Sequence, residues 1–140
     1  MSRRRGRILA FQALYSWDAS QTPLEELLKF SWTSSEAGED EATLNSDETI
    51  FASMIIKGTV EHLEQIDELI KSHLSSSWTM ERINRVSLAI LRTSIFEMKF
   101  QAGSQPKIVI DEAVNIAREF GLDDSYKFIN AVLDKIGKES

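Results

Sequence analysis

Apolar residues recur at helical spacing along most of the chain, whereas the alternation typical of strands is nearly absent. In the first predicted helix, Ala10, Leu14 and Trp17 fall on one side at positions i, i+4 and i+7. The pattern predicts an all-α fold, in which residues 1–140 form a single-domain, compact bundle of about seven helices. The predicted helices cover about 4–18, a short segment from 23, 47–74 in two parts, 83–100, 110–120 and 124–136.

Turn-forming residues mark the expected boundaries of these helices. Thr22 and Pro23 have the order of an N-cap residue followed by a first helical residue. Gly58 is expected to break or bend 47–74 into two helices, because an interior glycine costs about 1 kcal/mol relative to alanine. Residues 33–46 lack any period and are rich in serine and carboxylates, so they are expected to form a variable acidic loop.

The stretch from Ile83 to Phe100 is apolar over a wide arc, which predicts a helix at the centre of the bundle. Arg92 and Glu97 lie inside this stretch. A buried charge needs an opposite partner, and these two residues are five apart, too far round the helix to pair well. Each is therefore expected to pair with a residue of another helix.

Composition narrows the class of protein. The chain has 140 residues, 42% of them apolar, and no cysteine. This length is enough for a core without disulfides, and the lack of cysteine excludes thiolate metal sites and a cysteine nucleophile. No apolar run is long enough to span a membrane and no signal-peptide pattern is present, so no membrane partner is expected. The lack of cysteine is compatible with the reducing cytosol, and a cytoplasmic location is expected.

The net charge of −6 is distributed unevenly. Four arginines, Arg3, Arg4, Arg5 and Arg7, lie within the first seven residues, whereas six carboxylates lie between residues 36 and 48. A basic end on an acidic body can bind phosphate locally while the whole molecule stays anionic. A solvated tail without a ligand is the open alternative.

Residue patterns for catalysis are absent from the sequence. His62 and His73 are eleven residues apart, so they do not share a metal ion within one helix. Phosphate-binding loops and nucleophile motifs do not occur. The acidic pairs Asp111–Glu112 and Asp123–Asp124 are expected at helix starts, where negative charge complements exposed N–H groups. We therefore expect no enzyme activity, no metal and no cofactor.

The first helix carries the best candidate for a binding surface. Arg5, Gln12 and Tyr15 share one row of that helix, beside its apolar stripe. Aromatic rings stack on unpaired bases and arginines neutralise phosphates, so this row is a candidate RNA contact. The alternative is that Tyr15 is a half-buried core residue with its hydroxyl in water.

The last helix offers a second polar face. Lys127, Asn130 and Asp134 line up at helical spacing, and Phe128 lies at the margin of the apolar side. Lys127 and Asn130 are candidates for contacts to a phosphate or a base edge. A solvated helix face is the alternative interpretation.

Four segments, in order and covering nearly the whole chain apart from the acidic loop, together resemble the NusB family of bacterial transcription antitermination factors. The last of them is the most specific. They are Arg3–Arg5 with Gln12–Trp17, Val86–Arg92 with Phe96–Met98, Pro106–Ala113 with Ile116–Ala117, and Phe120–Lys135.

The resemblance implies a fold of two three-helix groups and a role without catalysis or cofactor. Members bind the boxA element of ribosomal RNA leader transcripts together with NusE, the tenth protein of the small ribosomal subunit. The pair helps RNA polymerase, within its antitermination complex, to read through terminators. Members exist as monomers and dimers, so a homodimer is also open.

The resemblance also assigns roles to particular residues. It places the basic RNA-binding segment at Arg3, Arg4, Arg5 and Arg7, the RNA- and partner-facing aromatic at Tyr15, and an acidic RNA-proximal position at Asp124, near Lys127, Phe128 and Asn130. Ser87 occupies a position that faces NusE, where the family often has glutamate. Further departures are Ala131, where glycine is usual, and Phe96 in place of a common tyrosine.

Together these features form a hypothesis for RNA binding. The four arginines attract phosphate without sequence preference, and four such contacts would give a salt slope of about −3 on a single strand. Gln12, Tyr15 and the edge from Lys127 to Asn130 would supply base contacts. Two alternatives stay open, namely the RNA-binding domain of a ribosomal RNA methyltransferase and a helical adaptor between proteins.

Overall fold

The computed structural model describes residues 3–33, 46–76, 78–121 and 124–139. Within these ranges the chain forms seven α-helices, two short 3-10 turns at Ser31–Thr33 and Met80–Arg82, and no strand. The all-α prediction is confirmed, while most of the predicted acidic loop lies outside the described residues. The helices are α1 (Arg3–Ala19), α2 (Leu24–Leu27), α3 (Ser46–Glu61), α4 (Leu63–Ser72), α5 (Arg85–Lys99), α6 (Pro106–Phe120) and α7 (Ser125–Lys138).

Helix α5 is the centre of the bundle, as its wide apolar arc predicts. Every residue from Ser87 to Met98 is buried. The helix begins with Asn84, whose side chain accepts a hydrogen bond from the Ser87 backbone N–H at 2.8 Å. That bond satisfies one of the N–H groups that every helix start leaves without a partner.

The other helices pack around α5 in two groups. Helices α1, α3 and α5 pack against one another, and α5, α6 and α7 pack against one another, so that α5 belongs to both groups. Helix α4 also packs on α5. The apolar faces of these helices form one continuous core, whose fully buried members include Leu14, Ile55, Leu91 and Leu133.

Both charges inside α5 have partners on other helices, as predicted. Arg92 forms two hydrogen bonds of 2.9 Å with Asp67 of α4 and lies 3.8 Å from a carboxylate oxygen of Asp18 in α1. Glu97 accepts hydrogen bonds from Arg7 of α1. The two ion pairs link α5 to its neighbouring helices at different positions along the α5 axis.

This stretch does form two helices, as predicted, but Gly58 is not the break between them. Helix α3 continues through Gly58 to Glu61, and the break before α4 falls at His62. A Cβ atom built at Gly58 would overlap the ring of Phe96 in α5. Glycine therefore serves here for the close approach of two helices rather than for a turn.

The predicted start of α6 is also wrong. The helix begins at Pro106 rather than near Ile110, so Asp111 lies well inside it and not in the first turn. Proline suits a first helical turn because its missing N–H would have no partner there. The β-branched run Ile108–Ile110 is helical because burial of Val109 in the core outweighs its weak propensity.

Two other helix starts differ in detail from the predictions. Leu24 is the first residue of α2, and Pro23 takes the N-cap position that was assigned to Thr22. Asp124 does lie at the start of α7, but its side chain makes no capping hydrogen bond. Its charge at this helix start agrees with the prediction from the helix dipole.

Candidate nucleic-acid interface

The first turn of α1 places three arginines at the surface, each beside a partner. Arg3 lies over the ring of Phe51, with its Cζ 5.0 Å from the ring centroid. Arg4 donates a 2.9 Å hydrogen bond to Glu119 at the end of α6 and keeps 42% of its side chain exposed. A pair this exposed contributes little energy, so a phosphate can replace the carboxylate of Glu119.

Arg5 lies on the opposite side of the first turn, against α3. Its Nε is 3.4 Å from a carboxylate oxygen of Glu48, and 45% of its side chain is exposed. The Glu48 side chain is only 10% exposed, so the pair lies at the edge of the core. Arg4 and Arg5 thus present cationic groups to solvent on two flanks of α1.

Arg7 differs from Arg4 and Arg5 because most of its side chain is covered. Its guanidinium donates three hydrogen bonds of 2.6–3.1 Å to both carboxylate oxygens of Glu97, and only 11% of its side chain is exposed. A second carboxylate, Glu112 of α6, lies 3.8 Å away, and the ring of Phe51 lies 5.7 Å from its Cζ. The charge of Arg7 is therefore paired with carboxylates between α1, α5 and α6, and it is less available to a ligand than the charges of Arg4 and Arg5.

Gln12 and Tyr15 lie together in an open groove of about 310 Å³ near the C-terminal half of α1. Tyr15 is 38% exposed, and Gln12 is half-buried beside it. The groove combines an amide, two hydroxyl groups and several aromatic rings. Its lining residues are Phe11, Gln12, Tyr15, Ser16, Trp32, Val86 and Phe120.

Two aromatic residues of this groove were not among the residues predicted for the site. Phe120, at the last position of α6, packs edge-to-face on Phe11 with ring centroids 5.4 Å apart, and 36% of it is exposed. Trp32 donates a 3.0 Å hydrogen bond from its indole N–H to the Leu27 carbonyl. Both sit next to turn or loop segments, where helical spacing gives no signal about the direction of a side chain.

Ser87 is buried in the structure, contrary to a direct role in partner contact. Only 1% of it is exposed, and its hydroxyl has no hydrogen-bond partner among the described residues. The first turn of α5 carries its side chain into the core, whereas the preceding residue, Val86, lines the groove. If a partner approaches this turn, Val86 is the residue it meets.

The start of α7 carries the second predicted set of contacts. Asp124 and Lys127 are both well exposed, and their charged groups are 3.9 Å apart. Phe128 is half-buried and lies against Trp78, with ring centroids 5.8 Å apart. Asn130 is exposed and lines a separate groove between α6 and α7, together with Asp134. The predicted polar face is thus divided between two surfaces.

The groove and the α7 start lie at the same end of the bundle. Helix α1 runs antiparallel to α5, because Arg7 meets Glu97 near the end of α5 while Tyr15 shares the groove with Val86 near its start. Arg5 and Tyr15 are ten residues apart, which is about 15 Å along the helix. One helix therefore presents cations at its first turn and an aromatic groove at its far end.

Two kinds of functional feature, a metal site and a membrane-spanning helix, are absent from the described ranges. No group of three or more His, Asp or Glu side chains is arranged to hold a metal ion. No helix there is long and apolar enough to cross a membrane.

Comparison with known proteins places the chain among proteins of similar length. The sequence profile of the NusB family matches residues 4–138. The chain belongs to the NusB family. The transcription antitermination protein NusB of Treponema denticola is 46% identical over 140 residues, which are 100% of this chain and 98% of that protein. NusB of Nitratiruptor sp. is 42% identical over 99% of this chain and 93% of that protein.

Solved structures of NusB share the fold. T. maritima NusB superposes with a TM-score of 0.83 at 31% identity, covering 99% of this chain and 92% of that one. A crystal structure of the antitermination factors NusB and NusE in complex with dsRNA superposes with a TM-score of 0.82 at 29% identity, covering 97% and 96%. The chain thus has the NusB fold over nearly its whole length.

Proposed function

We propose that this chain is a non-catalytic transcription antitermination factor that binds the boxA element of ribosomal RNA leader transcripts in the cytoplasm. It acts with a NusE-type ribosomal protein to let RNA polymerase read through terminators. The observation that carries the proposal is the combination, on α1, of exposed arginines at the first turn and the Gln12–Tyr15 groove at the far end. Two relatives named transcription antitermination protein NusB support the proposal, because the alignment with this chain covers 98% and 93% of their lengths.

The arginines supply the attraction that does not depend on sequence. Arg3, Arg4 and Arg5 contact phosphates, whereas Arg7 holds α1 in place through Glu97. Three phosphate contacts on a single strand correspond to a salt slope of about −2, shallower than the slope expected for four. Glu119 and Glu48 compete with phosphate for Arg4 and Arg5, so the free protein binds RNA only moderately.

The groove supplies base contacts. Exposed rings of Tyr15 and Phe120 stack on unpaired bases, and the Gln12 amide is able both to donate and to accept a hydrogen bond at a base edge. An amide and two hydroxyl groups among the rings provide the polar contacts that discriminate one base from another. Lys127 continues the cationic surface past the groove, while Asp124 beside it opposes phosphate.

A NusE-type partner completes the interface in this proposal. Val86 and Tyr15 border the groove, and an apolar partner residue would cover them next to the bound RNA. A purely protein-binding adaptor would use this apolar surface too. The arginines distinguish the two functions, because an adaptor has no need of three cations in the first turn of α1.

The test measures RNA binding by fluorescence anisotropy at several salt concentrations. The probes are a single-stranded boxA oligonucleotide, a scrambled strand and a duplex of the same length, each with and without an equimolar NusE-type protein. We expect preference for single-stranded boxA, tighter binding with the partner and a salt slope of about −2 for the free chain. Equal binding of boxA and the scrambled strand under both conditions would overturn the proposal.

A further inference from the structure

Three aromatic residues among those described are at least 36% exposed. Tyr15 and Phe120 are two of them, and both line the groove described above. The third is Trp78, which is 41% exposed in the connection between α4 and α5. An exposed indole is a large apolar surface that folding has left in water, and none of the contacts proposed so far uses it.

The Trp78 ring is fixed in position by its neighbours. Phe128 of α7 packs against it at a centroid distance of 5.8 Å and an angle of 42° between the ring planes. Arg82 lies on the ring as well, with its Cζ 5.6 Å from the centroid. Because Phe128 itself packs against the core, it anchors the indole, and little side-chain entropy remains to be lost when a ligand binds.

The Trp78–Phe128 pair and the groove are connected through the junction of α6 and α7. Phe120 ends α6, and a Cβ atom built at Gly121 would lie 2.5 Å from the Ser125 hydroxyl in the first turn of α7. Phe128 follows one turn later on α7. Along the chain, the groove residue Phe120 is thus followed by the first turn of α7 and then by Phe128, the residue that contacts the exposed indole.

The surroundings of Trp78 favour a nucleic-acid base over a protein side chain. Among the described residues of the connection, Trp78 is the only exposed apolar side chain, since the other exposed residues there, such as Ser76, Thr79 and Glu81, are polar or charged. Arg82 places one cation on the ring, and Lys127, which precedes Phe128 in the sequence, is exposed on α7. A ring with cations close by binds a base by its face and the adjoining phosphate by charge.

We propose that Trp78, held by Phe128, is a second stacking site for an unpaired RNA base, beyond those bound in the Gln12–Tyr15 groove. The inference rests on the proposed RNA-binding function and extends the bound strand past the start of α7. Stacking accepts any base, so the site adds affinity without adding sequence preference. It also makes affinity depend on RNA length, since a short strand in the groove ends before it reaches Trp78.

The test compares a boxA oligonucleotide that only fills the groove with one extended by several nucleotides at each end. Trp78→Ala should weaken binding of the extended strand by on the order of 5- to 100-fold and leave the short strand unaffected. Trp78→Phe keeps an aromatic face and should bind close to the parent. Ile50→Ala removes a side chain that is 66% exposed on α3 and serves as the matched surface control.

A spectroscopic readout separates stacking from a general loss of structure. The chain has three tryptophans, so the fluorescence of Trp78 has to be separated from that of the other two. The quenching of Trp78 by the extended RNA is the quenching seen in the parent minus the quenching seen in Trp78→Phe. We expect this difference to be large for the extended strand and absent for the short one. An unchanged melting temperature for Trp78→Phe shows that the fold is kept.

Several outcomes would overturn the inference, and they differ from a failure of the proposed function. A second stacking site is contradicted if Trp78→Ala binds the extended strand as tightly as the parent does. It is also contradicted if Trp78→Ala loses affinity for both strands equally. Loss of binding to the NusE-type protein without RNA would assign Trp78 to a protein contact instead. A parent chain that binds neither strand, with or without that protein, would overturn the RNA-binding function itself.

Discussion

Arg7 and Glu97 join α1 to α5 through hydrogen bonds between the guanidinium and both carboxylate oxygens, at 2.6–3.1 Å. Both side chains are almost completely buried. A charge in this environment is stable only with its partner, because water does not compensate it. The pair therefore sets the position of the first turns of α1, which carry the exposed arginines.

Removal of one partner of this pair should destabilise the fold strongly. Arg7→Met leaves Glu97 buried beside Glu112, and we expect a loss of about 3–5 kcal/mol in the free energy of unfolding. Urea denaturation measures the loss. The double variant Arg7→Met/Glu97→Leu should recover most of it, since an apolar pair of similar volume replaces the ion pair.

The control for this prediction is Lys107→Met, which breaks a 3.7 Å ion pair whose side chains are 88% and 65% exposed. Such a pair contributes little, so this variant should unfold close to the parent. If Arg7→Met were no less stable than Lys107→Met, the Arg7–Glu97 pair would not determine the position of α1.

The exposed arginines should control the salt dependence of RNA binding. Arg4→Ala/Arg5→Ala removes two phosphate contacts, so the slope of log K against log salt should become less steep by about 1.4. Anisotropy titrations over a range of salt concentrations measure the slope. Lys107→Ala/Lys138→Ala removes the same charge from α6 and α7, and an equal change of slope there would indicate attraction by net charge alone.

Tyr15 should affect binding rather than stability. It is 38% exposed, so Tyr15→Asp is expected to keep the melting temperature while weakening boxA binding by about 10- to 100-fold through loss of stacking. Tyr15→Phe keeps the ring and tests the hydroxyl alone. A large fall in the melting temperature of Tyr15→Asp would instead support the half-buried core interpretation.

Asp124 should weaken RNA binding in the parent chain. Asp124→Asn removes a negative charge at the start of α7 and releases Lys127, which lies 3.9 Å away. Affinity for RNA should rise by about two- to fivefold, the range expected for one exposed charge. Asp111→Asn makes the same change on the exposed face of α6, and an equal gain there would contradict a local effect of Asp124.

Substitution of Gly58 by alanine would compare the gain in helix propensity with the cost of overpacking. Alanine should favour the helix by about 1 kcal/mol, but its Cβ would overlap the Phe96 ring, and such overpacking costs about 1–3 kcal/mol. We therefore expect Gly58→Ala to lower the free energy of unfolding, and Phe96→Leu to relieve the effect in the double variant. Thermal unfolding monitored by circular dichroism provides the comparison.

Gly137 in α7 is the matched control for Gly58. A Cβ built there would meet its nearest atoms, in Ile110 and Met98, at 3.4 Å, which is ordinary contact. Gly137→Ala should therefore stabilise the chain, because only the propensity term remains. A gain in stability for Gly58→Ala as well would show that the Phe96 ring moves aside without cost.

Features that depend on local periodicity were predictable from the sequence. The wide apolar arc of α5 predicted its central place, and the two charges inside that arc predicted ion pairs with other helices. The identity of the partners was not predictable, because Asp67 and Arg7 lie far from Arg92 and Glu97 in sequence. Nothing in the run of arginines distinguishes Arg7, whose side chain is mostly covered, from Arg4 and Arg5, whose side chains are well exposed.

Two of the missed features depend on contacts between distant segments. Gly58 has the sequence signal of a helix break, and only the ring of Phe96 across the interface explains why the helix continues. The walls of the groove are formed by α1, α5, the end of α6 and Trp32. Helical spacing along α1 therefore indicated only Gln12 and Tyr15. Most of the candidate site on α1 was therefore predictable, and its walls were not.

The shared position of α5 has a consequence for how the molecule opens. Because α5 belongs to both helix groups, separating either group exposes the apolar surface of the same buried helix. Local opening of one group alone is therefore costly, and the chain should unfold in a single cooperative transition. Amide protons of α5 should exchange with solvent only through that global event, at rates that report the full stability of the protein.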